Sequence, residues 1–334
     1  MLASAKKNRQ FLVDLFAGEF RGHAIIMDPL GKPFEKPDGD AAVSEAPVKD
    51  WLPCTLQMYE DRLRWHLMIG DDSVPWAGSW VGTEFFAACF GAPVKIDGQN
   101  IPFALPLVCT SEEADKLEAP SLNVRLIERI FELYYLAQER LGTDVPVGVP
   151  DIQSPFDIAA LIWRKQDMFI AMREEPEAVK RLVDKCYQLL TSFFTEFKKQ
   201  FPICSMSHCP YAYGPEELGI WLSEDEAGSM SVRDFEEFCL PTLTRLSEDH
   251  GGLFMHCCAA ADHQYDNFNK IPNLRGINRV FQAVGPRPAI KAFENRTVIM
   301  QAWWNLEKIN GLLDMALPGT RFLLNMGPED PDDS

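Results

Sequence analysis

Gly252-Leu253-Phe254-Met255-His256-Cys257-Cys258 decides how the rest of the chain is read. Leu253 to His256 suit a buried strand, and that strand runs into a histidine and two cysteines. Three further strand-like runs follow it: Leu274-Arg275-Gly276-Ile277, Val298-Ile299-Met300 and Phe322-Leu323-Leu324. Their ends, near positions 256, 278, 301 and 325, fall 22, 23 and 24 residues apart. A strand, a helix and two short connections occupy about that length, so the spacing reads as a βα repeat. Earlier runs extend the pattern. Ile203-Cys204-Ser205-Met206 ends near His208, and Val145 to Val149 opens onto Asp151. Trp65 to Ile69 reads as a strand followed by Asp71, Asp72 and Trp76, and Ala24 to Met27 ends at Asp28. Eight such strands predict an α/β fold, a (β/α)8 TIM barrel forming one domain over residues 1–334. Residues 1–22 are its N-terminal helical extension, and a long Pro-, Gly- and Asp-rich loop runs to about residue 55. An open doubly wound sheet is the competing architecture. Both place ligands at the carboxyl ends of the strands.

Helical periodicity fills the intervals. Residues 5–20 present Phe11, Leu12, Leu15 and Phe16 on one face, and Gly82 to Phe90 reads as a helix ended by Gly91. Leu122 to Leu141 repeats apolar residues at helical spacing, with Ser121 placed to cap it and Gly142 to stop it. Pro176 to Phe201 carries the widest apolar stripe, from Val179 to Phe197, with proline in its first turn. Residues 94–120 show no pattern.

Bulk properties narrow the function. A net charge of −17 opposes binding to nucleic acid phosphates or to an anionic membrane surface. No apolar run suits a signal peptide or a membrane span, and nine scattered cysteines fit reduced thiols, so a cytoplasmic protein is expected. No GxGxxG, P-loop or GxSxG motif follows a strand.

The chemistry concentrates at the strand ends. Side chains alternate along a strand, so His256 and Cys258 can point the same way while Cys257 turns into the packing. Imidazole with thiolate suits zinc, although a catalytic zinc usually takes three protein ligands. Against this stand an ordinary hydrogen-bonded histidine and a small buried thiol. His208, in His208-Cys209-Pro210-Tyr211, is a candidate acid/base or substrate-binding group, with Tyr211 beside it for a cofactor. Trp221 to Gly228 reads as a loop, and its Glu224-Asp225-Glu226 is a run of carboxylates of the kind that is usually solvated. One of them turned inward, Asp225 by preference, would serve as a base, a cation partner or a zinc ligand. Asp28, Asp151 and Gln153 can hydrogen-bond a polar substrate or merely form turns and caps. Trp303-Trp304 can wall an aromatic or macrocyclic ligand, or pack.

The order of these features resembles the uroporphyrinogen decarboxylase superfamily. Asp151-Ile152-Gln153-Ser154-Pro155-Phe156-Asp157 is similar to its strand running through Pro-Phe into a helix, and Glu174 to Cys186 to its next helix. Asp225 to Met230, followed by Ser231 to Phe238 and Leu240-Pro241, resembles its acidic loop and the helix after it. The resemblance covers roughly residues 75–330 and implies a (β/α)8 barrel. His256-Cys257-Cys258 falls where the methyltransferase branch carries its His-x-Cys zinc pair. That branch moves methyl groups between small methylated compounds and a corrinoid protein or a thiol. The branch's third zinc ligand, a cysteine after the last strand, has no counterpart in Asn325 to Pro328. Asp225, Cys209, Glu329 and Asp330 are the candidate substitutes. The resemblance thus implies zinc at His256 and Cys258, completed or tuned by Asp225. It implies His208, Asp151 and Gln153 as substrate-orienting residues, a small methyl donor, and a corrinoid carried by a partner protein. Two rival readings are a metal-free decarboxylase or lyase and a non-enzymatic barrel that binds a corrinoid or tetrapyrrole. The arginine-rich N-terminal segment of the decarboxylase is missing here.

Overall fold

The structure is a computed structural model, described here over residues 1–27, 47–79, 81–95, 102–207, 212–281, 284–301 and 305–326. It opens with α1 (Ala3–Ala17), β1 (His23–Met27), α2 (Val48–Ile69) and α3 (Phe85–Cys89). The short strands β2 (Val94–Lys95) and β3 (Phe103–Ala104) form an antiparallel pair apart from the main sheet. Next come α4 (Ser111–Lys116), α5 (Arg125–Leu141), β4 (Val147–Gly148), α6 (Pro155–Ile162), α7 (Lys165–Glu174) and α8 (Pro176–Gln200). After β5 (Cys204–Ser205) and β6 (Ile220–Ser223), α9 (Val232–Phe238) and α10 (Leu240–His250) lead into β7 (Leu253–Cys257). The chain ends with α11 (Tyr265–Phe268), β8 (Leu274–Arg279), α12 (Arg287–Phe293), β9 (Val298–Gln301), α13 (Leu306–Leu313) and β10 (Phe322–Met326).

Six strands form one parallel sheet in the order β1-β10-β9-β8-β7-β6. Single parallel bridges carry the pairing further round. Gln153 pairs with Ser223 of β6, and Ala77 pairs with Val147 of β4. At the far edge, side chains replace a strand: Asp72 Oδ2 and Asp71 Oδ2 accept the β1 N–H groups of Ile25 and Met27 at 2.9 and 2.7 Å. Capping an edge in this way satisfies donors that would otherwise invite another strand. The architecture is α/β and TIM-barrel-like. No helix among the described residues is long and apolar enough to cross a membrane.

Covered on both faces, β7 buries Leu253, Phe254 and Met255 completely, as parallel strands under helices do. Phe254 stacks on Trp221 of β6 with ring centroids 5.0 Å apart, and Phe16 of α1 meets it edge-on at 4.8 Å. Each such pair adds about 0.5–1.5 kcal/mol beyond the area it buries. In the helical layer, the stripe of α8 supplies Phe193 and Phe197, which pack with Phe131 and Tyr134 of α5, and Phe194, which packs with Phe193.

Four expectations are corrected. Trp65 to Ile69 is not a strand but the last turns of α2, which begins at Val48, inside the expected loop. Its buried positions, Val48, Trp51, Thr55, Met58, Arg62 and His66, follow helical spacing, while the apolar Leu67, Met68 and Ile69 are exposed. Ile220 to Ser223 is a fully buried strand rather than part of a loop, because Trp221 packs against Phe254. This strand, not Cys204–Ser205, neighbours β7, and β5 pairs with β4. Helix α5 starts at Arg125 behind Val124, so the Ser121 side chain does not cap it.

Candidate metal centre

Strand register assembles the site. Gln153, Ser223, His256, Asn278 and Met300 lie side by side across neighbouring strands near their carboxyl ends. Asn278 donates through Nδ2 to the carbonyl of Met300 at 2.8 Å. Its Oδ1 therefore faces His256 Nδ1, 2.6 Å away, and must accept. This arrangement places the imidazole proton on Nδ1 and the lone pair on Nε2, the tautomer a metal ligand requires.

One residue beyond β7, Cys258 is exposed, while Cys257 is fully buried, as strand alternation predicts. Asp225, two residues beyond β6, accepts the Cys258 backbone N–H at 2.6 Å, and its Oδ1 lies 3.1 Å from Cys258 Sγ. The loop carrying Asp225 is held in turn. The buried Asp157 carboxylate accepts the N–H groups of Asp225 and Glu226 at 2.7 and 3.0 Å. Beneath the loop after β7, the buried Arg279 guanidinium bonds the carbonyls of Cys257 and, at 2.9 Å, Ala259.

Ligand atoms of Asp225, His256 and Cys258 all lie within 4.8 Å of one another. An oxygen, an imidazole nitrogen and a sulfur are donors that zinc accepts. The Cys258 to Asp225 distance is within a few tenths of an ångström of the about 3.5 Å that tetrahedral zinc sets between S and O. Burial and the Asp225 charge push the Cys258 thiol up to about 12. A thiol so placed ionises near neutrality only beside a cation, so the donor set fits a metal and Asp225 fits as its third ligand.

Next to the triad, Gln153 donates to Asp151 at 2.9 Å, and burial raises the Asp151 carboxyl to about 6, against the favourable charge of His256. Residues 208–211, with His208, Cys209 and Tyr211, lie outside the described residues. So do Asp28, Trp303, Trp304, Glu329 and Asp330.

Sequence reasoning misses Glu84 and Asp157 near the site, and weighs Glu224 only as one of a carboxylate run in which Asp225 is preferred. Glu84, just before α3, and Glu224, beside Asp225, are buried, and burial raises each to about 7. Burial and the neighbouring Glu224 also raise the Asp157 carboxyl well above the usual carboxylate range. A signal existed for Asp157: it is the single charge on α6, a helix otherwise made of apolar residues. Glu84 is marked only by the apolar run that follows it.

Residues 84–200 match the family model Uroporphyrinogen decarboxylase (URO-D). The segment contains Glu84, Asp151, Gln153 and Asp157, and ends before Asp225, His256 and Cys258. Among solved structures, a methyltransferase from Methanosarcina mazei superposes with a TM-score of 0.69 at 11% identity, covering 97% of this chain and 94% of that one. No curated protein matches the sequence. The chain is thus similar to the uroporphyrinogen decarboxylase family over residues 84–200, and it shares its fold with that methyltransferase over nearly its whole length.

Proposed function

We propose that the protein is a zinc-dependent methyltransferase. It moves a methyl group between a small methylated compound, such as a methyl ether or methylamine, and a corrinoid carried by a partner protein or a thiol. The observation that carries this reading is the convergence of Asp225, His256 and Cys258 at the carboxyl ends of adjacent strands. The fold shared with a methyltransferase agrees with it. His256 through Nε2, Cys258 through Sγ and Asp225 through a carboxylate oxygen would hold the metal. Zinc bound there supplies a Lewis acid that keeps a thiol ionised or polarises a methyl donor.

The surrounding residues do the rest. Asn278 fixes the imidazole tautomer, and Asp157 fixes the loop that presents Asp225. Asp151, poised near neutrality and oriented by Gln153, takes the proton a thiol acceptor loses or returns one to a leaving group.

The test is methyl transfer between methylcobalamin and a small thiol. Chelation is expected to abolish it, and zinc, but not magnesium, to restore it. Unchanged turnover by metal-depleted protein would set the reading aside.

A further inference from the structure

The Glu84 carboxylate is buried with one of its two oxygens unsatisfied. Its residue is only 4% exposed, and Oε2 has no hydrogen-bond partner among the described residues. The other oxygen accepts from the Gly82 N–H at 3.4 Å, a weak bond, and the carboxylate also feels its own backbone N–H. A second acid, Asp151, lies near enough for its charge to act on Glu84. The interactions described for Glu84 include no Lys or Arg, and the chain as a whole carries a charge of −17. Buried carboxylates are ordinarily paired or hydrogen-bonded, so an orphaned oxygen beside a second acid marks where a ligand's donor belongs.

Glu84 precedes α3 on the chain that continues from the Ala77 bridge, and Asp151 follows β4, the strand bridged to Ala77. The two acids therefore follow backbone segments that pair with each other, on the side where Asp151 also senses His256 and Asp225. We propose that Glu84 and Asp151 form a subsite for an ammonium group that bears N–H, and that Glu84 thereby selects the substrate. An N–H donor is required because Oε2 is an acceptor in want of a hydrogen bond, which a quaternary nitrogen cannot supply. The subsite deepens the methyltransferase reading, on which it rests for the site's purpose, but binding to it needs neither metal nor turnover.

Calorimetry with three probes of similar size tests it: trimethylammonium, tetramethylammonium and tert-butanol. Wild-type protein is expected to bind trimethylammonium at least about 10-fold more tightly than either of the others. Glu84→Gln should weaken that binding by about 10–100-fold, the range for a lost hydrogen bond to a charged group. Zinc content and melting temperature should stay as in the wild type. Should Glu84→Gln fail to fold, Asp151→Asn reads the same loss. Equal binding of all three probes, or wild-type affinity in a folded Glu84→Gln, would overturn the subsite. Glu84-dependent binding by protein that holds no zinc would support it while the metal-dependent reading failed.

Discussion

Replacing His256 by alanine is expected to remove zinc and methyl transfer together, with turnover falling by about 10³-fold or more. Several kilocalories per mole of Lewis-acid stabilisation correspond to that factor. The imidazole is the one nitrogen donor of the triad, and the row of residues beside it exists to hold it. Asn278 accepts from Nδ1 and is itself anchored on the Met300 carbonyl. Removing that support should be milder: Asn278→Ala is expected to cost about 10–100-fold in metal affinity, as loss of a ligand's orienting partner does. Metal analysis and initial rates on the same preparations check both. A His256→Ala protein that keeps its zinc and its rate would contradict the assignment, and so would an Asn278→Ala protein worse than His256→Ala.

The second large effect lies at the start of the same strand. Gly252 has φ +156°, and a Cβ built on it would stand 2.2 Å from the carbonyl oxygen of Leu218. Gly219, with φ +145°, would place a Cβ 2.2 Å from the Gly252 carbonyl oxygen. Backbone meets backbone here, where β6 and β7 begin side by side, so no side chain can swing aside. Gly252→Ala is expected to cost about 3 kcal/mol or more, from strain at positive φ and from overpacking. In a chain of this size that lowers the melting temperature by roughly 4 °C or more. Thermal unfolding followed by circular dichroism checks it, and a variant melting with the wild type would show that the strands part without cost. Because the register of β6 and β7 aligns Ser223 with His256, zinc affinity should fall as well.

The regular half of the fold was open to reading from sequence. From Leu253 onward each strand is apolar and buried, and each end carries a polar residue at an even interval, so β7 to β10 fall where the spacing places them. Periodicity likewise locates α1 and α8. It failed where local apolarity and burial part company: Leu67, Met68 and Ile69 are apolar yet exposed on the end of α2. Ile220 to Ser223 lacks the interval that marks its neighbours, and the acidic run behind it makes it look like a loop. In the site, His256 and Cys258 are legible because two-residue alternation along one strand is a local property. Asp225 could only be favoured, since its place beside Cys258 depends on the pairing of β6 with β7 and on Asp157, 68 residues earlier in the chain. Glu84 stayed hidden for the same reason, because its burial and its neighbour Asp151 are products of tertiary structure.

Zinc analysis of protein purified without added metal, wild type beside Cys258→Ala, tests the central assignment most directly. The account predicts near-stoichiometric zinc in the wild type and its loss from a Cys258→Ala protein that still folds. A folded wild type that neither carries zinc nor takes it up would contradict the metal centre, and so would a Cys258→Ala protein that holds zinc as the wild type does.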